Sequence, residues 1–184
     1  MIVGLTGRNG AGKGRVSEWC VAHGLRYTSL SDELRAWLRA QGKEPTRDNL
    51  IVGGRALRSE GGSGILARLV LERIEREGGD WVVDSIRNPA EVDVLRTRPD
   101  FLFLEVVADV RTRFDRIIAR NRGGDALDFG EFIRQESAEL DSQDAAAQQL
   151  IATAAMADMV VRNDGTPEML DHALAVLLPE IAGA

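Results

Sequence analysis

Five short runs read as strands, four of them apolar and the second, Arg26–Leu30, more polar. They are Ile2-Val3-Gly4-Leu5-Thr6, Arg26-Tyr27-Thr28-Ser29-Leu30, Trp81-Val82-Val83 leading into Asp84, Phe101-Leu102-Phe103-Leu104-Glu105-Val106-Val107, and Asp158-Met159-Val160-Val161. The apolar runs suit strands covered on both faces, as in a parallel sheet. Between them the apolar positions recur at helical spacing. Leu34, Trp37 and Leu38 form an i, i+3, i+4 stripe behind Ser31-Asp32, an N-cap candidate. Pro45-Thr46 opens a second helix with Leu50, Ile51, Gly54 and Leu57 on one side, and Ile65, Leu66, Leu69, Val70 and Ile74 make a third stripe after Gly61-Gly62-Ser63-Gly64. Pro89, Val110 and Thr166-Pro167 begin later ones. Strand alternating with helix predicts an α/β three-layer sandwich, with the strand from Ile2 central and residues 7–13 at its carboxyl end. Residues 61–64 and 123–130 carry no pattern and read as mobile loops.

Composition narrows the picture. A length of 184 residues suits one domain spanning 1–184, able to bury a core without staples. One cysteine, Cys20, excludes an intramolecular disulfide framework, and two histidines, His23 and His172, give no basis for a His-rich metal centre. A net charge of −6 argues against a surface that coats nucleic-acid polymers, while leaving room for a local basic pocket. No apolar run approaches the ~18 residues of a membrane span, and no charged segment precedes an apolar stretch at the N-terminus. The expectation is a soluble, cytoplasmic domain with no membrane partner. Of the 23 basic residues only Lys13 and Lys43 are Lys, so a lysine in a special place invites a specific explanation.

Lys13 stands in such a place. Gly7-Arg8-Asn9-Gly10-Ala11-Gly12-Lys13-Gly14 follows the first strand directly and matches G-x-x-x-x-G-K. Glycines let successive backbone N–H groups turn inward around an anion, the helix start adds its positive end, and Lys13 reaches the outer phosphates of a nucleotide. The bland alternative is a Gly-rich strand-to-helix turn that binds nothing. Gly14 departs from the pattern, which has a Ser or Thr whose hydroxyl holds Mg²⁺; Arg15 follows, and the nearest downstream hydroxyl is Ser17. The metal would then be held by phosphates, water and Asp84.

Three further segments can carry chemistry. Asp84 ends a strand where open parallel sheets place their ligands, and can hold Mg²⁺ through water or accept a proton; Arg87 beyond it can grip a phosphate in two-pronged fashion. Alternatively Asp84 caps the next helix and Arg87 forms a surface ion pair. Arg113, Arg116 and Arg120 share one helix face, with Arg111 and Arg122 beside them, ahead of Gly123-Gly124-Asp125. They read as a lid closing over a transferring phosphate, or as a solvated basic face. Arg162-Asn163-Asp164-Gly165-Thr166 is a turn and cap, or brings Asn163 and backbone near Gly165 to a purine edge. Trp19 and Trp37 read as core or pocket wall.

On these residues the chain resembles the P-loop nucleoside monophosphate kinases, including adenylate and dephospho-CoA kinases, and looks most like a mainly archaeal group of small nucleotide-kinase-like proteins. The matching pieces are Gly4-Leu5-Thr6-Gly7, Ser31-Asp32-Glu33-Leu34-Arg35, Pro45-Thr46-Arg47-Asp48-Asn49-Leu50, Gly64-Ile65-Leu66-Ala67, Asp84-Ser85-Ile86-Arg87-Asn88 and Asn163-Asp164-Gly165-Thr166. The resemblance implies a five-stranded parallel sheet, an acceptor-binding helical insert at about 31–79 and an Arg-bearing lid at about 111–135. It implies ATP and Mg²⁺ as cofactors and transfer of the γ-phosphoryl group to a nucleoside monophosphate or a similar small phosphorylated acceptor. Asp32 and Arg35 would line the acceptor site, with Arg47 and Arg58 as helpers and Arg87 joining Arg35 on the acceptor phosphate. Lys13, Asp84, Arg116, Arg120 and Arg122 would serve the transfer itself. Gly7, Asn9, Gly10, Ala11, Gly12, Gly14, Arg15, Asn163 and Gly165 would surround the donor nucleotide. The alternatives are a dephospho-CoA kinase-like enzyme and a nucleotide-binding switch.

Overall fold

The computed structural model describes residues 1–120, 128–140 and 149–183. The elements follow in the order β1 (Ile2–Thr6), α1 (Lys13–Ala22), β2 (Arg26–Ser29), α2 (Leu30–Ala40), α3 (Arg47–Gly61), α4 (Ile65–Glu77), β3 (Trp81–Asp84), α5 (Pro89–Leu95) and β4 (Phe101–Val107). After these come α6 (Val110–Arg120), α7 (Phe129–Leu140), α8 (Leu150–Ala154), β5 (Met159–Arg162), α9 (Pro167–Leu177) and α10 (Pro179–Ala182). The strands form a five-stranded, wholly parallel sheet in the order β2-β3-β1-β4-β5. The chain leaves β1 towards β2 and β3 on one side, then crosses to β4 and β5 on the other. The loop after β1 therefore lies where the winding reverses, the place at which open α/β sheets bind ligands.

Strand alternation divides the core in two. Val3, Leu5, Val82, Leu104, Val106 and Val161 pack against Val16, Trp19 and Cys20 of α1 and Leu170 and Leu174 of α9. Ile2, Trp81, Val83 and Phe103 face Leu34, Leu57, Leu66, Val70 and Val92 from α2 to α5. All five residues of β1 are buried, as expected of a central strand. A smaller cluster, Phe114, Ile117 and Phe132 with Phe129, joins α6 to α7. Trp37 packs against the second core rather than standing free. No described helix is long and apolar enough to cross a membrane.

Several boundaries differ from the sequence expectation. The α2 cap is Ser29, whose hydroxyl accepts from the Asp32 N–H; Ser31 and Asp32 lie inside the helix. Gly61 is the last residue of α3, and the break is confined to Gly62-Ser63-Gly64. Of the second supposed loop, Phe129 and Gly130 begin α7, and residues 123–127 lie outside the described residues.

Candidate functional site

The phosphate-type loop spans the carboxyl end of β1 and the start of α1. Gly7 has φ +138°, and a β-carbon there would run into the Val106 carbonyl. Gly12 has φ +99°, and its missing β-carbon leaves room for the Asn163 amide. Neither position admits a side chain without rebuilding the loop. Lys13 Nζ folds back over the loop, donating to the Gly7 carbonyl at 2.7 Å and the Arg8 carbonyl at 3.3 Å.

Arginines of α6 converge on this loop. Arg113 is buried at 2% exposure, pairs through both terminal nitrogens with Glu136 of α7, and donates to the Ala108 and Asn9 carbonyls. Arg116 donates to the Ala11 carbonyl and to Asn163 Oδ1, each at 3.4 Å. Arg120 Nη2 donates to Asn9 Oδ1 at 3.0 Å. Asn163 completes the brace, with Nδ2 donating to the Ala11 carbonyl at 2.9 Å. One face of α6 and the segment after β5 thus hold the loop from the side. Arg8 joins the same set, pairing with Glu136 at 3.2 Å. Arg113 and Glu136 are the pair that sequence reasoning missed as supports. The shared face of Arg113, Arg116 and Arg120 was visible, but Glu136 stands on a helix with no motif.

At the end of β3, Asp84 Oδ1 accepts from the Ser85 N–H at 2.5 Å, and Ser85 adopts φ +67°, a left-handed conformation uncommon outside glycine. Thr6 Oγ1 donates to the Ile86 carbonyl at 2.9 Å, tying the end of β1 to this segment. Arg87 is half-buried; its N–H donates to Glu91 Oε2 at 2.9 Å, and its carbonyl accepts from Gln149 at 2.8 Å. Glu91 is fully buried and also accepts from the Asn88 N–H, closing a capping box at the start of α5. Burial pushes the Glu91 carboxyl above its ordinary value, opposed first by the Arg58 charge.

The other expected residues are placed as follows. Arg58, expected beside the acceptor, is itself 9% exposed and donates to Glu91 Oε1 at 3.0 Å. Asp32 and Arg35 sit on the first turns of α2, half exposed and paired with each other at 2.9 Å. Arg15 points away from the loop to Asp171 of α9, at 2.5 Å. Gly165 is exposed in the turn after β5, against Met169. Arg122 and the Arg47 side chain lie outside the described residues. Burial pushes the Cys20 thiol up to about 12, so it is no nucleophile.

A magnesium ion fits these residues. Among the described residues no cluster of three His, Cys, Asp or Glu could hold a metal alone. Mg²⁺ does not need one, since it usually keeps several waters and takes one or two carboxylates beside phosphate oxygens. A β-carbon at Gly14 would meet nothing within 4 Å, and Ser17 Oγ is buried with no hydrogen-bond partner one turn further along α1. Asp84, at the end of the strand beside β1, would be the carboxylate that holds the ion through water.

No family model matches the chain. Its fold is that of the P-loop kinases. Shikimate kinase from Bacteroides thetaiotaomicron superposes with a TM-score of 0.58 at 14% identity, covering 97% of this chain and 98% of its own. A Thermus thermophilus protein, TT1252, gives 0.64 at 22% identity, covering 98% of this chain and 97% of its own. A UPF0200 protein of the archaeon Methanothrix thermoacetophila is 33% identical over 184 residues, 98% of this chain and 97% of that protein. That likeness spans almost the whole length of both proteins, and the chain belongs to the UPF0200 family.

Proposed function

We propose that the protein is an ATP-dependent phosphotransferase that moves the γ-phosphoryl group to a small, nucleotide-like phosphorylated acceptor. The observation that carries this reading is the convergence of Lys13, Arg116 and Arg120 on one glycine-rich loop at the carboxyl end of the central strand. Phosphoryl transfer asks a protein mainly to position reactants and to neutralise charge, and these groups do both. Lys13 and the loop amides bind the donor phosphates. Asp84 would hold Mg²⁺ through water, and the ion would supply charge neutralisation. Arg116 and Arg120 supply positive charge as the transfer proceeds, with Arg122 assigned to the same lid. Asn163 holds the loop in shape from behind, and the turn at Gly165 edges the base. The helices α2 to α4, inserted between β2 and β3, supply the acceptor site, with Arg35, Arg87 and Arg47 towards its phosphate and Asp32 orienting Arg35. Arg58 contributes through Glu91, which fixes the backbone of Arg87.

A screen of ADP release tests this reading, using ATP with nucleoside monophosphates, deoxynucleotides and dephospho-CoA in turn. Stimulation by one acceptor class, abolished in Lys13→Ala, is the expected result. Gly14 favours a second reading, a nucleotide-dependent switch, because a loosely held Mg²⁺ slows chemistry. Slow turnover indifferent to every acceptor would select that reading, and absence of ATP binding would end both.

A further inference from the structure

Glu105 has no part in the site described so far. It is the only charged residue of β4, in the run Phe-Leu-Phe-Leu-Glu-Val-Val, and pairs in register with Thr6, the last residue of β1. A carboxylate set into an apolar strand of a two-sided sheet is costly unless something solvates or uses it. Here it lines a cavity of about 130 Å³ with Thr6, Gly7 and Arg8, roofed by Leu150 and Ile151 of α8. Among the described residues it has no hydrogen-bond or ion-pair partner.

The position of the cavity matters. Its floor is Gly7 and Arg8, the two residues whose carbonyls hold Lys13 Nζ. The cavity therefore adjoins the place that the proposed function gives to the donor's terminal phosphate. Strand alternation separates the two carboxylates at this sheet edge. Asp84 follows Val83 and so shares the face of Val82, the face of α1. Glu105 shares the face of Phe103, the face of the helical insert. One carboxylate is on the side of the donor's helix, and the other is on the side from which an acceptor arrives.

A carboxylate suits one kind of attacking atom. The oxygen of an acceptor phosphate is already ionised, and a second anion beside it would repel it. A hydroxyl is neutral, donates a hydrogen bond to the carboxylate and loses its proton as it attacks. Resting on the phosphotransferase reading, we propose that Glu105 is the catalytic base and that the acceptor attacks the γ-phosphorus of ATP through an alcohol hydroxyl. The hydroxyl oxygen bonds to the γ-phosphorus of ATP as the bond from that phosphorus to the bridging β–γ oxygen breaks. The hydroxyl proton passes to Glu105 and then to solvent, leaving a phosphate monoester and ADP. The apolar roof of α8 accommodates the carbon-bearing side of that alcohol.

Two measurements test this. In the first, the wild-type protein is offered nucleoside monophosphates and their 2′,3′-dideoxy analogues, which keep the phosphate and lack the ribose hydroxyls. Stimulation of ADP release by the former and none by the latter is expected, whereas equal transfer to the dideoxy compounds overturns the assignment. In the second, Glu105→Gln is compared with wild type, its fold checked by thermal melting. Turnover should fall about 10²-fold, the lower end for loss of a general base. ATP affinity should hold within about twofold, and the acid limb of the kcat–pH profile should vanish. Full turnover in Glu105→Gln, or an unchanged acid limb, overturns the assignment. If ATP does not bind, or no hydroxyl acceptor stimulates turnover while dideoxy compounds do not either, the phosphotransferase reading itself fails and this one falls with it.

Discussion

Replacing Arg58 by Ala should damage the fold much more than it damages substrate binding, and the damage should depend on pH. The guanidinium is 9% exposed and meets a Glu91 carboxylate that is fully buried. Removing one member of such a pair strands the other charge and costs about 3–5 kcal/mol. For a chain of this length that corresponds to a fall in Tm of roughly 6–20 °C. Glu91 keeps only the Arg87 and Asn88 N–H groups, at 2.9 and 3.1 Å. Its carboxyl is already held above its ordinary value of 4.5 by burial, so the folded protein keeps that proton to higher pH than the unfolded chain. This contribution to stability is fully present below the unfolded value and is lost as pH rises through the folded one. Without the Arg58 charge, the largest influence in the opposite direction, the folded value rises further and the loss continues to higher pH. Thermal melts followed by circular dichroism at about pH 5 and about pH 8 should show a wild-type-to-mutant gap that widens with pH. A gap below ~3 °C at the higher pH, or the same gap at both, would refute the argument.

Two further variants probe the chemistry. Arg120→Ala should lower kcat about 10²-fold with ATP affinity little changed, since a cation acting on the transition state contributes little to ground-state binding; steady-state kinetics with nucleotide-binding calorimetry decides it, and full activity would return this end of α6 to a solvated face. Gly14→Ser places a hydroxyl in open space on the first turn of α1, so the Mg²⁺ concentration for half-maximal turnover should drop roughly tenfold, about 1.4 kcal/mol; an unchanged Mg²⁺ dependence would show that the ion is not held at this turn.

Most of the sheet was legible because β1, β3 and β4 are short apolar runs, whereas β2, with Arg26 and Tyr27 exposed, carries the weaker signal. The phosphate loop was legible because its glycines and lysine act through the backbone nearby. What stayed hidden depended on residues far apart in the chain. Asn163 was open to a turn or a purine-edge reading, and nothing local marks the bond its Nδ2 donates to the Ala11 carbonyl, 152 positions earlier. Arg58 was read as facing the acceptor because nothing local marks Glu91 as its buried partner. The α7 helix escaped notice because its first residues, Phe129 and Gly130, were taken into the glycine-bearing loop 123–130, although Phe129, Phe132 and Ile133 stand at i, i+3 and i+4. Ser31-Asp32 was read as a cap because a cap is a local pattern, but β2 runs straight into α2 and Ser29 takes the part.

Along α6 the three arginines that share a face differ in what they could give to an incoming anion. Arg113 is buried, and the Glu136 carboxylate already neutralises it. Drawing it away would strand that carboxylate against Arg8 alone. Arg116 and Arg120, half-buried and exposed, make their bonds to the loop with a backbone carbonyl and side-chain amide oxygens, which are uncharged acceptors. A phosphate oxygen is a stronger acceptor than any of these, because the bond then joins opposite charges. On the phosphotransferase reading, a phosphate reaching the loop would draw Arg116 from Ala11 and Asn163 and Arg120 from Asn9, while Arg113 stays with Glu136. The same face thus carries one arginine held by a carboxylate, Arg113, and two, Arg116 and Arg120, whose bonds to the loop end on uncharged oxygens.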